Sequence, residues 1–322
     1  INAFGKVIAG EINPSGRTVD TYTYDFTTDP AYQNFGNNKT GDGNAYRTSE
    51  NKKDIKKAYM VEYEEGIYVG YRYYETRAVE ETADGNSEWY DDNVVYPFGY
   101  GLSYTDFTQE IIDCTPSDGG TLAEDGTISV TVRVTNNGER EGKEVVQLYQ
   151  TAPYYENGIE KAHVTLVGFA KTDTLQPDAH EDVTVTVKVS DLASYDWNDA
   201  NGNGFKGYEL EGGNYELKVM KNAHEVIDSV TYTVPETEDT AANGSTGYVY
   251  DIDSETKYEV KSRFDDVGIG DDAENPLEYM SRADFEGTFP ETVTTQELII
   301  TQQFLNTFTY KVNDKSDDPW YS

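Results

Sequence analysis

The sequence is poor in cysteine and in positive charge, and it lacks long apolar runs. Its single cysteine, Cys114, cannot form a disulfide within the chain. The 25 lysines and arginines are outnumbered by 60 aspartates and glutamates, which gives a formal net charge of −35. Such a surface repels nucleic acid and anionic membranes, and no apolar run reaches the ~18 residues of a membrane span. We therefore expect no nucleic-acid partner and no membrane span in this chain.

Histidine is also scarce, which limits the chemistry that the chain can carry. His163, His180 and His224 lack the sequence context of a hydrolytic triad and the spacing of metal ligands. The first residues, INAFGKVIAG, are too short and too polar for a secretory signal, so we expect the chain to begin within a domain. The acidic composition is typical of exported bacterial-type proteins. It predicts a soluble, secreted or cell-surface protein, with the cytoplasm as the alternative location.

Aromatic residues are concentrated in the stretch YPFGYGLSYTDF, from Tyr96 to Phe107. Its glycines allow turns where a Cβ would clash, and its rings need a large surface to pack against. No regular helix or alternating strand selects this pattern. The stretch predicts a tight aromatic turn that joins one structural layer to another.

After about Gln109 the pattern changes to short runs with apolar residues at every second position. These runs lie at 128–134, 143–149, 164–169 and 183–189, with further strands predicted at 215–220 and 226–234. Strands of this length and spacing are typical of a β-sandwich. The alternation predicts that the following side chains point into its core: Val130, Val132, Val146, Leu148, Val185 and Val187.

The region before the aromatic turn is less regular. The spacing of apolar residues over 1–12 predicts the end of an amphipathic helix. Residues 27–57 are polar and predict a long surface loop. Alternation over 63–74 predicts a strand, and the acidic residues 78–93 predict a second loop.

One stretch has the alternating oxygen ligands of a calcium loop. Asp199, Asn201 and Asn203 are candidate metal ligands, and Gly204 supplies the sharp bend. The bidentate acid of such a loop is missing, because Leu210 stands at its position. An Asx-rich turn without any ion explains the same residues and is the favoured interpretation. No other cofactor is predicted.

Paired acids carry little information in a chain with 60 of them. Asp284 and Glu286 lie beside an aromatic residue in SRADFEG and are candidates for a catalytic pair of carboxyl groups. A structural role, pairing with Arg282 or Arg263, is the expectation. No catalytic residue is therefore assigned.

Several short segments of the sequence resemble segments of glycoside hydrolase family 3, which contains many β-glucosidases and β-xylosidases. They are NPSGR at 13–17, EGIYVGYRYY at 65–74, PFGYGLSYTDF at 97–107, VTNNG at 134–138, GKEVVQLY at 142–149 and LVGFAK at 166–171. The resemblance implies a mixed fold with three parts. Residues 1–108 would be the C-terminal part of an α/β-sandwich domain, and 109–235 an all-β fibronectin type III-like, immunoglobulin-like sandwich. Residues 236–322 would be an extended connector toward a TIM barrel, as in circularly permuted members.

The resemblance also implies where the chemistry is. The family's nucleophile is a barrel aspartate and its acid/base is a glutamate upstream of the NPSGR element, so both fall outside this sequence. The chain would then be a non-catalytic portion of a retaining β-glucosidase-like enzyme. Its partners would be the missing TIM barrel and upstream sandwich portions, with a β-linked oligosaccharide or glycoside as substrate. The alternative is a non-catalytic extracellular protein that binds glycans or assembles with copies of itself.

Overall fold

The structure is a computed structural model that describes residues 2–35, 45–46, 58–59, 63–236, 244–251 and 278–290. The helices are α1 Asn2–Ile8, α2 Pro30–Phe35, α3 Tyr71–Ala83 and α4 Trp89–Asn93. The first strands are β1 Tyr22–Thr23, β2 Ala45–Tyr46, β3 Ala58–Tyr59, β4 Val94–Tyr96, β5 Phe107–Thr115, β6 Thr127–Asn136 and β7 Val145–Thr151. The remaining strands are β8 Thr165–Lys171, β9 His180–Lys188, β10 Ser194–Asp196, β11 Gly207–Leu210, β12 Gly213–Met220, β13 Val226–Val234 and β14 Tyr248–Tyr250. No helix in these ranges is long and apolar enough to cross a membrane.

Two antiparallel sheets form a β-sandwich, as the alternating pattern predicts. One sheet has the strand order β5-β6-β9, and the other has the order β13-β12-β7-β8. A third, smaller sheet has the order β10-β11-β14. The six predicted core residues all lie in the hydrophobic core between the two large sheets. Because side chains alternate along a strand, each strand gives that core one face.

The prediction for residues 63–74 is wrong, because the structure has a helix where a strand was expected. Helix α3 begins at Tyr71, directly after Gly70, whose φ of 56° turns the chain into the helix. Tyr73 and Tyr74 are both buried, which a strand with one buried face does not allow. Arg77 and Glu81 form an ion pair one helical turn apart. The second half of the helix contains strong helix formers, but the alternating tyrosines before it favoured a strand in the sequence analysis.

The two predicted loops also contain regular structure. Within 27–57 the chain forms the short helix α2 and the strand β2, which pairs with β3 just after this range. Within 78–93 it continues helix α3 and then forms α4. The N-terminal prediction is confirmed in part, since a helix, α1, occupies Asn2–Ile8, but it ends before residue 12 and buries none of its residues. Helices α3 and α4 pack together, and residues 278–290 add Met280 and Phe285 to their aromatic core.

Candidate functional site

The aromatic turn lies at the junction between the N-terminal part and the sandwich. Phe98 stacks on Tyr71 of helix α3, with ring centroids 4.6 Å apart. Tyr71 in turn contacts the edge of Tyr149 of strand β7, at 6.1 Å. The backbone of the turn joins the same contact, because Ala223 donates its N–H to the carbonyl oxygen of Phe98 at 2.9 Å. The turn thus has the docking position that its ring content predicts.

Gly99 has a steric reason to be glycine. Its φ is +79°, and a Cβ there would overlap the side chain of Gln147 from strand β7. Gln147 donates its amide to the carbonyl oxygens of Gly99 at 3.1 Å and of Lys221 at 3.0 Å. A buried glutamine therefore holds the aromatic turn against the outer face of the sandwich.

A second contact at this junction is polar. Glu75 of helix α3 is buried. One oxygen of its carboxylate accepts a hydrogen bond from the hydroxyl of Tyr90 at 2.5 Å, and the other is hydrogen-bonded to Nδ1 of His224 at 2.8 Å. The imidazole of His224 stacks on the Tyr90 ring at 3.7 Å. A cavity of about 380 Å³ lies here, lined by Glu75, Tyr90, His224 and also His163 and Lys218. Its walls come from α3, α4 and strands of the sandwich.

The segment 278–290 is anchored to both parts by one arginine and one glutamate. Arg282 donates to Glu80 of α3 at 2.6 Å, and its guanidinium lies 4.3 Å from the ring centroid of Tyr154. Glu160 accepts hydrogen bonds from Ser281 at 2.6 Å and from the backbone of Arg282 at 3.0 Å. The segment therefore bridges helix α3 and the loop before strand β8.

The candidate metal ligands form a hydrogen-bonded turn. The side-chain oxygen of Asp199 accepts from Gly204 N–H at 2.9 Å, and that of Asn201 accepts from Asn203 N–H at 3.1 Å. The Asn203 oxygen accepts from Phe205 N–H at 2.8 Å. Each of the three oxygens thus has a backbone donor. Within the described ranges, no group of three or more histidine, cysteine, aspartate or glutamate residues has the geometry to hold a metal ion.

A buried cluster of charged groups lies beside this turn. Glu209 accepts the side-chain amides of Asn201 at 3.1 Å and Asn203 at 2.7 Å, and burial raises its pKa to about 7. Glu211 is fully buried and forms an ion pair with Lys161. A carboxyl group with a pKa near 7 suits a general acid, yet Glu209 is only 1% exposed. No substrate reaches a group that is enclosed in this way, so the cluster has a structural role.

Asp284 and Glu286 have separate contacts. The Asp284 carboxylate accepts from Gly287 N–H at 2.8 Å, and its backbone carbonyl accepts from Thr288. Glu286 lies 3.4 Å from Arg77, with its side chain 87% exposed. Arg282 pairs with Glu80 instead of either acid, which corrects that part of the prediction. Arg263 lies outside the described residues.

Sequence reasoning missed Glu75, His224, Glu160 and the Lys161–Glu211 pair. Their partners are far away in the chain: Glu75 and His224 are 149 positions apart, and Lys161 and Glu211 are 50 apart. No local pattern connects such positions. The one available signal was Lys161, a cation near the apolar run 164–169 in a chain with few cations.

Comparison with known proteins shows what this chain is similar to. The family model of the fibronectin type III-like domain matches residues 144–223. The β-glucosidase of Ruminococcus albus is 36% identical over 233 residues, which are 72% of this chain and 20% of that relative. The β-glucosidase A of Butyrivibrio fibrisolvens is 36% identical over 60% of this chain and 21% of its own length. The chain thus spans about a fifth of these curated relatives.

A solved structure agrees with these matches. The β-glucosidase of Paenibacillus barengoltzii superposes with a TM-score of 0.55 at 33% identity, covering 76% of this chain and 22% of the other. By sequence and by fold, the chain is β-glucosidase-like. These matches support a fragment similar to glycoside hydrolase family 3 β-glucosidases, in agreement with the PFGYGLSYTDF segment and the fibronectin type III-like sandwich.

Proposed function

We propose that this chain is a non-catalytic portion of a retaining β-glycosidase of the β-glucosidase type. It would join the end of an α/β-sandwich domain to a fibronectin type III-like domain and a connector, in the permuted order of domains. The catalytic aspartate and glutamate would be supplied by the TIM barrel and the upstream sandwich portion. The substrate of that assembly would be a β-linked glucoside or oligosaccharide.

One observation carries the proposal. Relatives named β-glucosidase match 60% to 72% of this chain but only 20% to 21% of their own lengths. A barrel of about 250 residues does not fit into the part of this chain that follows the sandwich. Three acids considered above also support a non-catalytic role, because Glu209 and Glu211 are enclosed and Asp284 caps a turn.

The exposed apolar residues of the N-terminal part support a missing neighbour. Helix α1 has no buried residue, and Phe4 and Ile8 are 69% and 67% exposed. Val19 and Leu102 are 86% and 68% exposed. Strands β1 and β4 form a two-stranded sheet whose outer edges pair with no other described strand. Edges and apolar side chains of this kind are usually covered, so the upstream sandwich portion is the expected cover.

An activity assay tests the proposal. The purified 322-residue chain is incubated with aryl β-glucosides and aryl β-xylosides, and released phenol is measured. We expect no turnover, because both carboxyl groups of the retaining mechanism would be absent. The chain joined to the flanking coding sequence should hydrolyse the glucoside, and a 2-fluoro-glycoside should label an aspartate beyond Ser322. Hydrolysis by the chain alone, abolished by Asp284→Asn or Glu286→Gln, would contradict the proposal.

Calcium binding by Asp199, Asn201 and Asn203 is kept as a second, separate proposal. Because the side-chain oxygens of this turn accept backbone N–H groups, the ion would have to displace hydrogen bonds to bind. A ligand of the native state raises the melting temperature by mass action. The test is a calcium titration at fixed ionic strength, with magnesium as the control. An unchanged melting temperature at millimolar calcium would leave the turn without an ion.

We also propose that the protein is exported. The support is the net charge of −35, spread over the whole chain, which is typical of exported bacterial-type proteins. Immunodetection in cell fractions of the source culture tests this, and recovery in the cytoplasmic fraction alone would contradict it.

A further inference from the structure

Two histidines lie in the contact between the helices α3 and α4 and the sandwich. His224, in the turn between β12 and β13, bonds the buried Glu75 of α3 at 2.8 Å and stacks on Tyr90 of α4 at 3.7 Å. Glu75 is 4% exposed as a residue, and its other oxygen accepts from Tyr90. Among the described residues, protonated His224 is the cation in contact with this carboxylate, whereas Tyr90 is a neutral donor. A neutral imidazole would leave a buried carboxylate without a cation.

His163 holds the same contact from the other side of the cavity. Its backbone N–H donates to the hydroxyl oxygen of Thr76 in α3 at 2.8 Å, and its backbone carbonyl accepts from the hydroxyl of Thr151 in β7 at 2.7 Å. The residue is thereby fixed between the helix and the sandwich. Its side chain lines the cavity of about 380 Å³ together with Lys218.

The charges around the two imidazoles have opposite signs. Those that face His224 are acidic, and they come from α3, from α4 and from its own turn: Glu75, Asp91 and Glu225, beside the neutral phenol of Tyr90. Those with the largest effect on His163 are mostly basic: Lys218, Arg282 and His224, with the acid Glu216 opposing them. A proton is therefore stabilised on His224 and opposed on His163.

We propose that this contact is a pH-sensitive joint, closed when His224 is protonated and His163 is neutral. Acid opens the joint by placing a further cation, protonated His163, beside Lys218 and Arg282. Alkali opens it by removing the cation that faces Glu75. The joint would set how firmly the helices are held on the sandwich, and with them the aromatic turn that lies against Tyr71.

The pKa shifts give the direction of each effect. Glu75 raises the pKa of His224 above 6.5, so its contribution is fully present below pH 6.5 and is lost as pH rises through the folded value. Burial and the neighbouring cations lower the pKa of His163 from 6.5 to about 4. Its contribution is fully present above pH 6.5 and is lost as pH falls from 6.5 toward 4. The two contributions overlap most fully near pH 6.5, so the joint is tightest there.

Hydrogen exchange of the full chain tests the joint. Exchange of peptides within 71–93 is measured from roughly pH 4 to pH 8, corrected for intrinsic rates, and divided by that of strand β6 as an internal reference. We expect protection to fall on both sides of a maximum. Each pKa unit of difference changes the opening constant about tenfold. His163→Gln should remove the loss of protection at acid pH (the acid fall). His224→Gln should remove the loss of protection at alkaline pH (the alkaline fall).

Further variants separate the joint from general effects of histidine. His180→Gln removes an exposed histidine of strand β9 and should leave both falls unchanged. Glu75→Gln should remove the alkaline fall while His224 is still present, because the amide carries no charge. Protection of β6 shows whether each variant is folded, and a variant that loses it is replaced by His163→Asn or His224→Asn. The proposal is wrong if the His163 and His224 variants keep the pH profile of the parent.

Discussion

The carboxyl group of Glu209 illustrates how strongly surroundings change a single side chain in this fold. It is 1% exposed, and its hydrogen-bond donors are two neutral amides, from Asn201 and Asn203. Asp196 and Glu211 add negative charge nearby. Desolvation is the largest effect and raises the Glu209 pKa from 4.5 to about 7. Ionising Glu209 in the folded protein therefore costs free energy.

This shift predicts a pH dependence of stability. The folded pKa lies above the unfolded one, so the contribution of Glu209 is fully present below pH 4.5 and is lost as pH rises through about 7. Glu209→Gln removes the charge and keeps an oxygen for the two asparagines. Between these pH values, the parent should lose on the order of 3 kcal/mol of unfolding free energy relative to the variant.

Urea denaturation at several pH values measures this difference. Glu139→Gln, at an exposed position in the turn after β6, is the matched control and should follow the parent. Equal pH slopes for the parent and Glu209→Gln would mean that Glu209 ionises at its ordinary pKa.

At the scale of elements, the sandwich was predictable and the N-terminal part was not. Val130 and Val132 alternate with polar residues in a strand that has one buried face, so a local period of two identifies both the strand and the core. Tyr73 and Tyr74 are successive residues that are both buried, since both contact Trp89 and Tyr73 also contacts Phe285. Tertiary contacts of this kind hide the helical period from the sequence.

In the candidate site, too, some features were predictable from the local sequence and others were not. The position of the aromatic turn followed from its own composition, because rings and glycines reveal a close contact wherever it forms. The identity of its partner, Gln147, and the pair of His224 with Glu75 did not follow, since these residues are brought together by the fold alone. The expected structural role of Asp284 is supported by its local bond to Gly287.

Gly99 gives an element-scale prediction about docking. An alanine there meets two costs, the backbone strain at φ +79° and the overlap with Gln147. Together these should lower the unfolding free energy by about 2 to 4 kcal/mol. Gly85 is a matched control, because its φ is +96° and nothing lies within 4 Å of the Cβ position. Gly85→Ala should cost only about 1 kcal/mol of strain.

Chemical denaturation compares the two glycine variants. The excess cost of Gly99→Ala over Gly85→Ala reports the contact between the aromatic turn and the sandwich. Phe98→Ala should also be destabilising, because it removes the ring that stacks on Tyr71. Equal costs for the two glycine variants would show that the turn does not depend on close contact with Gln147.

For the whole molecule, the dominant electrostatic fact is the excess of negative charge. A formal charge of −35 on a 36.1 kDa chain produces repulsion that opposes the compact state. Ion pairs on the surface, such as Arg133 with Asp182 at 2.8 Å, stabilise the fold weakly in water. Repulsion among the remaining acids should therefore outweigh the attraction within these pairs.

This excess predicts that salt stabilises the protein. Raising sodium chloride from about 10 mM to about 300 mM shortens the screening length from roughly 30 Å to below 10 Å, which weakens repulsion between distant acids. The melting temperature should rise by a few degrees, whereas it would fall if surface ion pairs dominated. Arg133→Gln should leave the size of the rise almost unchanged, because it removes one ion pair and leaves the excess of acids in place. A melting temperature that falls with salt in both proteins would show that local pairs, and not the net charge, control the stability of the chain.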